Sequence, residues 1–323
     1  PEERVYGSYS EMFEQEKLLP EGERMDFVSI VTPNHLHFEP AKMALENGFD
    51  VVLDKPMTFD LAEAKELKSI LDKSGKLLCL THTYTGYPMV KEAREIIRQN
   101  KLGTIRKIYV SYPQGWLSSF LEGSNQKQAA WRTDPARSGI AGCMGDIGVH
   151  AFNLAEYITG LKITEVCADI NITVDGRKLD DDGSVLLKFD NAASGILYAT
   201  QVAAGEENNL RINIYCEKGG LEWKQEDNNT LLIKWLDKPS QIYRTGNDYL
   251  SPLSKFNCRV PPGHPEGYLE AFALSVMAKK NGTAALEEWL DYPGADEGVR
   301  GMAFIENVIA SEKSNNKWKT FQV

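Results

Sequence analysis

The chain carries no block of basic residues, no paired cysteine motif and no long apolar run, and each absence removes a class of function. Its 36 Lys and Arg against 46 Asp and Glu leave a net charge of −10 over 323 residues. Nothing in it could neutralise a series of phosphates, which argues against nucleic acid as a partner. The five cysteines, at 79, 143, 167, 216 and 258, are odd in number, widely spaced and never in a Cys-x-x-Cys pair. They read as reduced, mostly buried thiols, and the expected location is cytoplasmic. No stretch approaches the roughly 18 apolar residues of a membrane span. Also missing is Gly-x-Gly-x-x-Gly, the glycine turn that cradles a dinucleotide pyrophosphate.

What is present is the composition of a globular protein, 42% hydrophobic and 25% charged, long enough for two domains. Apolar segments near 27–31, 50–53 and 77–80 alternate with helical patterns near 38–47 and 61–73. Gly48 and Gly75 stand just past those helices, where a left-handed C-cap belongs. Such alternation predicts a parallel sheet with right-handed crossovers. Each βαβ unit takes about 30 residues, so two further strands ahead of Pro1 would complete a doubly wound sheet. Arg4 to Glu14, with Val5-Tyr6 and a short helix at Tyr9 to Gln15, reads as the tail of its third strand and helix. A helix follows at about Met89 to Gln99, and from 105 the pattern changes. Short β-branched and aromatic segments near 105–112, 163–174, 184–190, 193–203, 210–217, 220–225 and 230–236 predict an antiparallel sheet of six or more strands. Helices near 146–158, 265–280 and 296–312 are expected to cover one face. The fold class is therefore α/β plus α+β, with a partial dinucleotide-type domain at 1–104 and a substrate-binding and oligomerisation domain at 105–323. Ile172, Leu197, Ile214 and Trp223 are assigned to an otherwise bare sheet face, which a dimer or tetramer contact would cover.

Two constellations carry chemistry. Asp54-Lys55-Pro56 closes one strand, and Thr32-Pro33-Asn34 closes the strand before it, so two strand ends present polar groups to one sheet edge, where α/β folds bind ligands. The second is the stretch 139–153, in which Gly139, Gly142 and Gly145 allow close backbone approach and Asp146 and His150 stand four apart on one helix face. Asp146 could equally be an N-cap, and His150 a satisfied core histidine. Beside Lys55 they gain another meaning, because oxidising an alcohol needs a base for the hydroxyl proton and a cation for the developing alkoxide. His35 and His37 read as loop residues rather than metal ligands. Asp180-Asp181-Asp182-Gly183 lacks the ligand spacing of a calcium loop and reads as a solvated turn. Trp131-Arg132 either caps the site, with Arg132 on a hydroxyl or carboxylate, or is a surface stack.

In order, Thr32-Pro33-Asn34-x-x-His37, Asp54-Lys55-Pro56, Trp131-Arg132 and the glycine-rich stretch ending Asp146-x-Gly148-x-His150, followed by an antiparallel sheet, resemble the glucose-fructose oxidoreductase and inositol dehydrogenase family (Gfo/Idh/MocA). The likeness spans about Val5 to Phe321. It implies an N-terminal Rossmann domain for NAD or NADP and a C-terminal domain holding a sugar or polyol. It places Thr32, Pro33, Asn34, His37, Asp54, Lys55 and Pro56 at the cofactor, with Lys55 reaching the substrate too. Asp146 and His150 complete the catalytic set, His150 as acid-base, and Tyr84, Trp131, Arg132 and Asn153 face the substrate. Three positions depart from the family: Asp54 replaces a glutamate, Asn153 an aspartate, and Thr83-Tyr84-Thr85 an Asn-x-Arg. The phosphate loop and the residue that selects NAD or NADP are expected ahead of Pro1, so the resemblance leaves that choice open. An NAD-dependent glycosidase and a non-catalytic NADP-binding regulator are the alternatives; a sensor, however, has no need of the proton acceptor that Lys55, Asp146 and His150 together supply.

Overall fold

The structure, a computed structural model, describes residues 4–273 and 291–323. Strands β1 (Phe27–Ile30), β2 (Asp50–Leu53) and β3 (Leu78–Leu80) form a parallel sheet in that order. Helices α2 (Phe38–Glu46) and α3 (Leu61–Ser74) make its crossovers, and α1 (Tyr9–Glu16) precedes it. Val51, Val52 and Leu53 are buried because helices pack on a parallel sheet from both sides. Gly48 and Gly75 take the left-handed conformation expected of them, at φ 82° and 63°. Ahead of α1, Tyr6 enters no strand; its hydroxyl and the Arg4 guanidinium both bond the buried Glu16 carboxylate.

Helix α4 (Pro88–Arg98) is buried nearly all round and packs with the second unit. That unit is a nine-stranded sheet of β4 (Ile105–Pro113), β5 (Ile163–Asn171), β6 (Asp182–Phe189), β7 (Ser194–Thr200), β8 (Arg211–Cys216), β9 (Gly219–Lys224), β10 (Thr230–Trp235), β11 (Gln241–Arg244) and β12 (Trp318–Thr320). The order is β11-β10-β9-β8-β4-β7-β6-β5-β12, antiparallel throughout except for the parallel pair β4–β7. Helices α5 (Lys127–Arg132) and α6 (Pro135–Ser138), a π-turn at Met144–Gly148, α7 (Val149–Thr159), α8 (Pro252–Phe256) and α9 (Ala295–Glu312) complete the order. The helical pattern expected at 265–280 appears from 268 to 273, and its remainder lies outside the described residues.

Helices α7 and α9 cover the inner face, where Phe152 stacks on Phe304 at 4.7 Å. Leu197, Ile214 and Trp223, expected on the bare face, lie here instead, at most 1% exposed. Pleating sends alternate residues to opposite faces, so the outer face carries Tyr109, Leu186, Tyr215 and Ile242, all exposed, with Ile196 and Tyr198 half-buried. Residues 252–256 pack on α4, and the Ser251 amide donates to Glu92. They leave the outer face uncovered among the described residues.

Candidate active site

The site forms where the carboxyl ends of β2 and β3 meet the π-turn of the second unit. Asp54 accepts from the Lys55 amide at 2.8 Å and from the Thr81 hydroxyl at 2.6 Å, so its carboxylate ties the two strand ends together. Lys55 then reaches across the cleft. Its Nζ donates to the Asp146 carbonyl at 2.6 Å and to Oδ1 of the Asp146 carboxylate at 2.7 Å. Oδ2 accepts from Gln201 Nε2 at 2.8 Å and lies 3.4 Å from Arg132 Nε. Arg132 also stacks on Trp131, its guanidinium 4.2 Å from the ring centre. Burial would raise the Asp146 carboxyl, yet the Lys55 and Arg132 cations outweigh it and hold the group down at about 2.

Asp146 is not a helix cap; it sits inside the π-turn. That turn is anchored from behind by Asp180, whose carboxylate accepts from the Gly142 amide at 2.6 Å and the Met144 amide at 2.7 Å, while its carbonyl accepts from Cys143 at 2.8 Å. Burial outweighs these amides and raises the Asp180 carboxyl to about 6. Asp181 is fully buried and accepts from Thr173, Val174 and Arg177. The segment 180–183 is thus no solvated turn. Asp180 and Asp181 are buried because amides of two neighbouring segments need acceptors there.

One turn past Asp146, His150 is 8% exposed, and its Nδ1 lies 3.2 Å from Nδ1 of His82, itself 2% exposed. Desolvation, the Lys55 charge and His82 hold His150 well below the usual histidine range; desolvation and Lys55 bring His82 to about 3. The Tyr84 ring stands edge-on 4.8 Å from His150. Its hydroxyl bonds that of Tyr112, which donates to Asn208 at 2.6 Å; Gln114 also donates to Asn208, at 2.8 Å, and accepts from Trp116 Nε1 at 3.1 Å. These side chains form a polar wall beside the histidine.

At the end of β1, the Thr32 hydroxyl bonds the Leu36 carbonyl, and Asn34 Nδ2 donates to the Ser138 carbonyl at 2.9 Å. Pro33 and Pro56 lie in the same two loops, the Lys55–Pro56 bond being cis. His37 is fully buried between the loops, its ring nitrogens 2.9 Å from the Pro56 carbonyl and 2.8 Å from that of Thr32. It joins the loops and offers a ligand no surface. Asn153 is also apart from the cluster: it lines a separate cavity with Arg94, Glu156 and Arg300. Conversely, His82, Gln201, Tyr112 and Asn208 join the site without having been singled out from sequence. His82 follows the last apolar segment of the alternating region, so the strand-end rule that selects Lys55 applies to it as well. Gln201 and Asn208 lie on irregular chain with no such signal.

Residues 2–82 match an oxidoreductase family with an NAD-binding Rossmann fold, and residues 90–222 match the GFO/IDH/MocA C-terminal domain. The chain is 32% identical to the uncharacterized oxidoreductase YfiI of Bacillus subtilis strain 168, over 99% of this chain and 83% of that protein. The chain belongs to the Gfo/Idh/MocA family. The crystal structure of an inositol dehydrogenase homolog from Azotobacter vinelandii complexed with NAD+ superposes with a TM-score of 0.92 at 31% identity, covering 99% of this chain and 84% of that one. An oxidoreductase from Sinorhizobium meliloti gives 0.89 at 38% identity, covering 99% and 85%. This family member is an NAD(P)-dependent dehydrogenase with a Rossmann-like parallel sheet and a mainly antiparallel second sheet. The strand ends fit the cofactor: Val31 is 72% and Leu36 47% exposed at the end of β1, apolar surface at the crevice where α/β sheets bind dinucleotides.

Proposed function

We propose that this enzyme transfers a hydride between a nicotinamide cofactor and a secondary alcohol of a sugar or polyol, with Lys55, Asp146 and His150 as its catalytic group. The observation that carries the reading is the 2.7 Å contact of Lys55 with Asp146, 91 residues away in the chain, which brings a strand-end ammonium to the turn that leads into His150. When bound, the nicotinamide accepts or returns the hydride. Thr32, Pro33, Asn34, Asp54 and Pro56 would hold its near side, with His37 fixing the two loops from beneath. An ammonium has three N–H bonds; Lys55 gives two to Asp146 and keeps one for the substrate oxygen, where negative charge develops. Asp146 orients Lys55 and offsets its charge. His150 takes the hydroxyl proton, and its depressed pKa keeps it unprotonated and ready as a base at neutral pH.

The substrate class rests on the polar wall of Tyr84, Tyr112, Asn208 and Gln114 and on Arg132, which reaches the Asp146 carboxylate with Trp131 stacked on it. A ring bearing several hydroxyls can satisfy such groups on more than one side. Relatives support the reading: the Azotobacter vinelandii homolog is also known complexed with NADH and myo-inositol, and a levoglucosan dehydrogenase of Pseudarthrobacter phenanthrenivorans is 25% identical over 82% of this chain. Replacing Lys55 or His150 by alanine is expected to lower turnover about a hundredfold or more, measured as nicotinamide absorbance in a screen of sugars and polyols. Two folded variants with near-normal turnover would reject the assignment. We further infer that copies associate through the outer face of the large sheet, where Tyr109, Leu186 and Tyr215 are exposed and no other described element covers them.

A further inference from the structure

Among the described residues the His150 ring makes no hydrogen bond to a carboxylate or a backbone carbonyl, the usual partners that fix which nitrogen of an active-site histidine carries the proton. It faces another histidine through the same nitrogen, Nδ1 to Nδ1 at 3.2 Å. We propose that His82 is a positioning residue that accepts the Nδ1 proton of His150 and so leaves Nε2 of His150 as the base. This rests on the assignment of His150 as the proton acceptor and goes beyond it by naming the atom and what sets it.

Two neutral imidazoles that meet through one nitrogen each can share a single proton between them. If both nitrogens carried hydrogen the two would repel, and if neither did two lone pairs would oppose. One ring therefore donates and the other accepts. Both rings are neutral here, because each is buried and near the Lys55 ammonium. Were His82 the donor, Nε2 of His150 would carry the proton and could not take the substrate's. Were His150 the donor, its Nε2 lone pair is free. The base assignment selects the second arrangement, since Nδ1 of His150 is committed to His82 and only this tautomer leaves a lone pair on Nε2. When the substrate hydroxyl gives up its proton, Nε2 takes it. The Nδ1 hydrogen stays in place on the imidazolium, still bonded to His82.

The groups around His150 are His82 and Tyr84 from the 81–86 segment, Tyr112 from β4 and Lys55 from the end of β2, whose charge is paired with Asp146 of the preceding turn. Lys55 and Asp146 form an ion pair, and the two phenols are neutral at working pH. A neutral acceptor at Nδ1 stabilises the imidazolium less than a carboxylate would, which is consistent with a base that stays unprotonated well below neutrality.

The test uses the enzyme labelled with 15N in its five histidines, with signals assigned by His82→Asn, His82→Leu and His150→Gln. At neutral pH the Nδ1 signal of His150 is expected to be of the protonated type and its Nε2 signal of the bare type. His82→Asn, whose side-chain oxygen falls near the old Nδ1, should keep that pattern, and His82→Leu should collapse it to a mixture of tautomers. A protonated Nε2 on His150 in the unaltered enzyme overturns the proposal, whatever the variants do. On a polyol that the enzyme turns over, His82→Leu should lower kcat about 10- to 100-fold with the cofactor KM unchanged. The ascending limb of kcat/KM should move to lower pH, because an imidazolium without its acceptor gives up its proton more readily; His82→Asn should restore most of both. A uniform fall in rate with the limb unmoved would mean that His82 only fills space. Full activity of His150→Gln would instead reject the base assignment itself, whatever the tautomer.

Discussion

Replacing Gly142 by alanine tests how the catalytic turn is held. A Cβ at this position would stand closer than 3.0 Å to the Asp180 carbonyl oxygen and 2.9 Å from Leu179 Cβ. Carbon and carbonyl oxygen settle near 3.3 Å or more, so the two backbones must part by about half an ångström or more. The same movement draws the Asp180 carboxylate from the Gly142 and Met144 amides, now at 2.6 and 2.7 Å, towards the limit of a hydrogen bond. Hydrogen bonds to a charged group contribute about 1.5–3 kcal/mol each, so weakening both should cost about 3–5 kcal/mol. With an unfolding entropy near 2.1 cal/mol/K per residue, a chain of this length loses about 4–7 °C in Tm. Activity should fall further than stability, since the displaced turn carries Asp146 and leads into His150.

Gly145, three residues on, provides the control. A Cβ there meets only Ala141 Cβ at 3.6 Å and Ile305 Cδ1 at 3.9 Å, which is ordinary contact. Gly145→Ala should therefore leave Tm unchanged or raise it slightly, because alanine loses less backbone entropy on folding. Calorimetry on both variants decides. Equal Tm values for Gly142→Ala and Gly145→Ala would refute the reasoning, as would a Gly142→Ala enzyme with normal kcat/KM.

Asp146 should leave a mark on acid stability: its folded pKa of about 2 lies below the ordinary 3.8, so its contribution is present above about pH 4 and is lost as pH falls through about 2. The expected size is about 2 kcal/mol, and urea unfolding between pH 2.5 and 6 should show an acid limb flattened in Asp146→Asn; an unchanged limb would contradict the ion pair. Self-association through the outer sheet face should give a dimer or tetramer mass by light scattering at micromolar concentration. Leu186→Glu should shift that mass towards the monomer without unfolding the protein, and a strictly monomeric unaltered enzyme would sink the interface.

What could be read from sequence depended on whether the signal was local. The strands and helices of the first 80 residues are legible because apolar runs and glycine caps fall within a few positions of one another. Asp146 and His150 are visible as a pair because their spacing alone sets them on one helix face. Asp180 looked solvated because its neighbours in sequence are acidic and polar. Its partners, the amides of Gly142 and Met144, lie more than thirty residues earlier, and no composition rule reports an acceptor needed at that distance. Strands β11 and β12, with four and three residues, are too short to show alternation and are set by pairing with β10 and β5.

The choice of face in the large sheet shows the same limit more sharply. Along β7, Ile196 and Tyr198 alternate with Leu197 and Ala199, so both parities are apolar and period two cannot say which points inward. The decision is made by α7 and α9, which pack on one side and leave Leu197 and Ala199 fully buried there. The opposite parity keeps its hydrophobic side chains although no described element covers them. Among the described residues helices cover only one face of this strand, so burial within the described chain does not account for its second apolar parity. Contact with another copy does account for it, since closed homo-oligomers bury one and the same patch on each subunit. The feature that made the inner face unreadable is thus the one that carries the expectation of assembly.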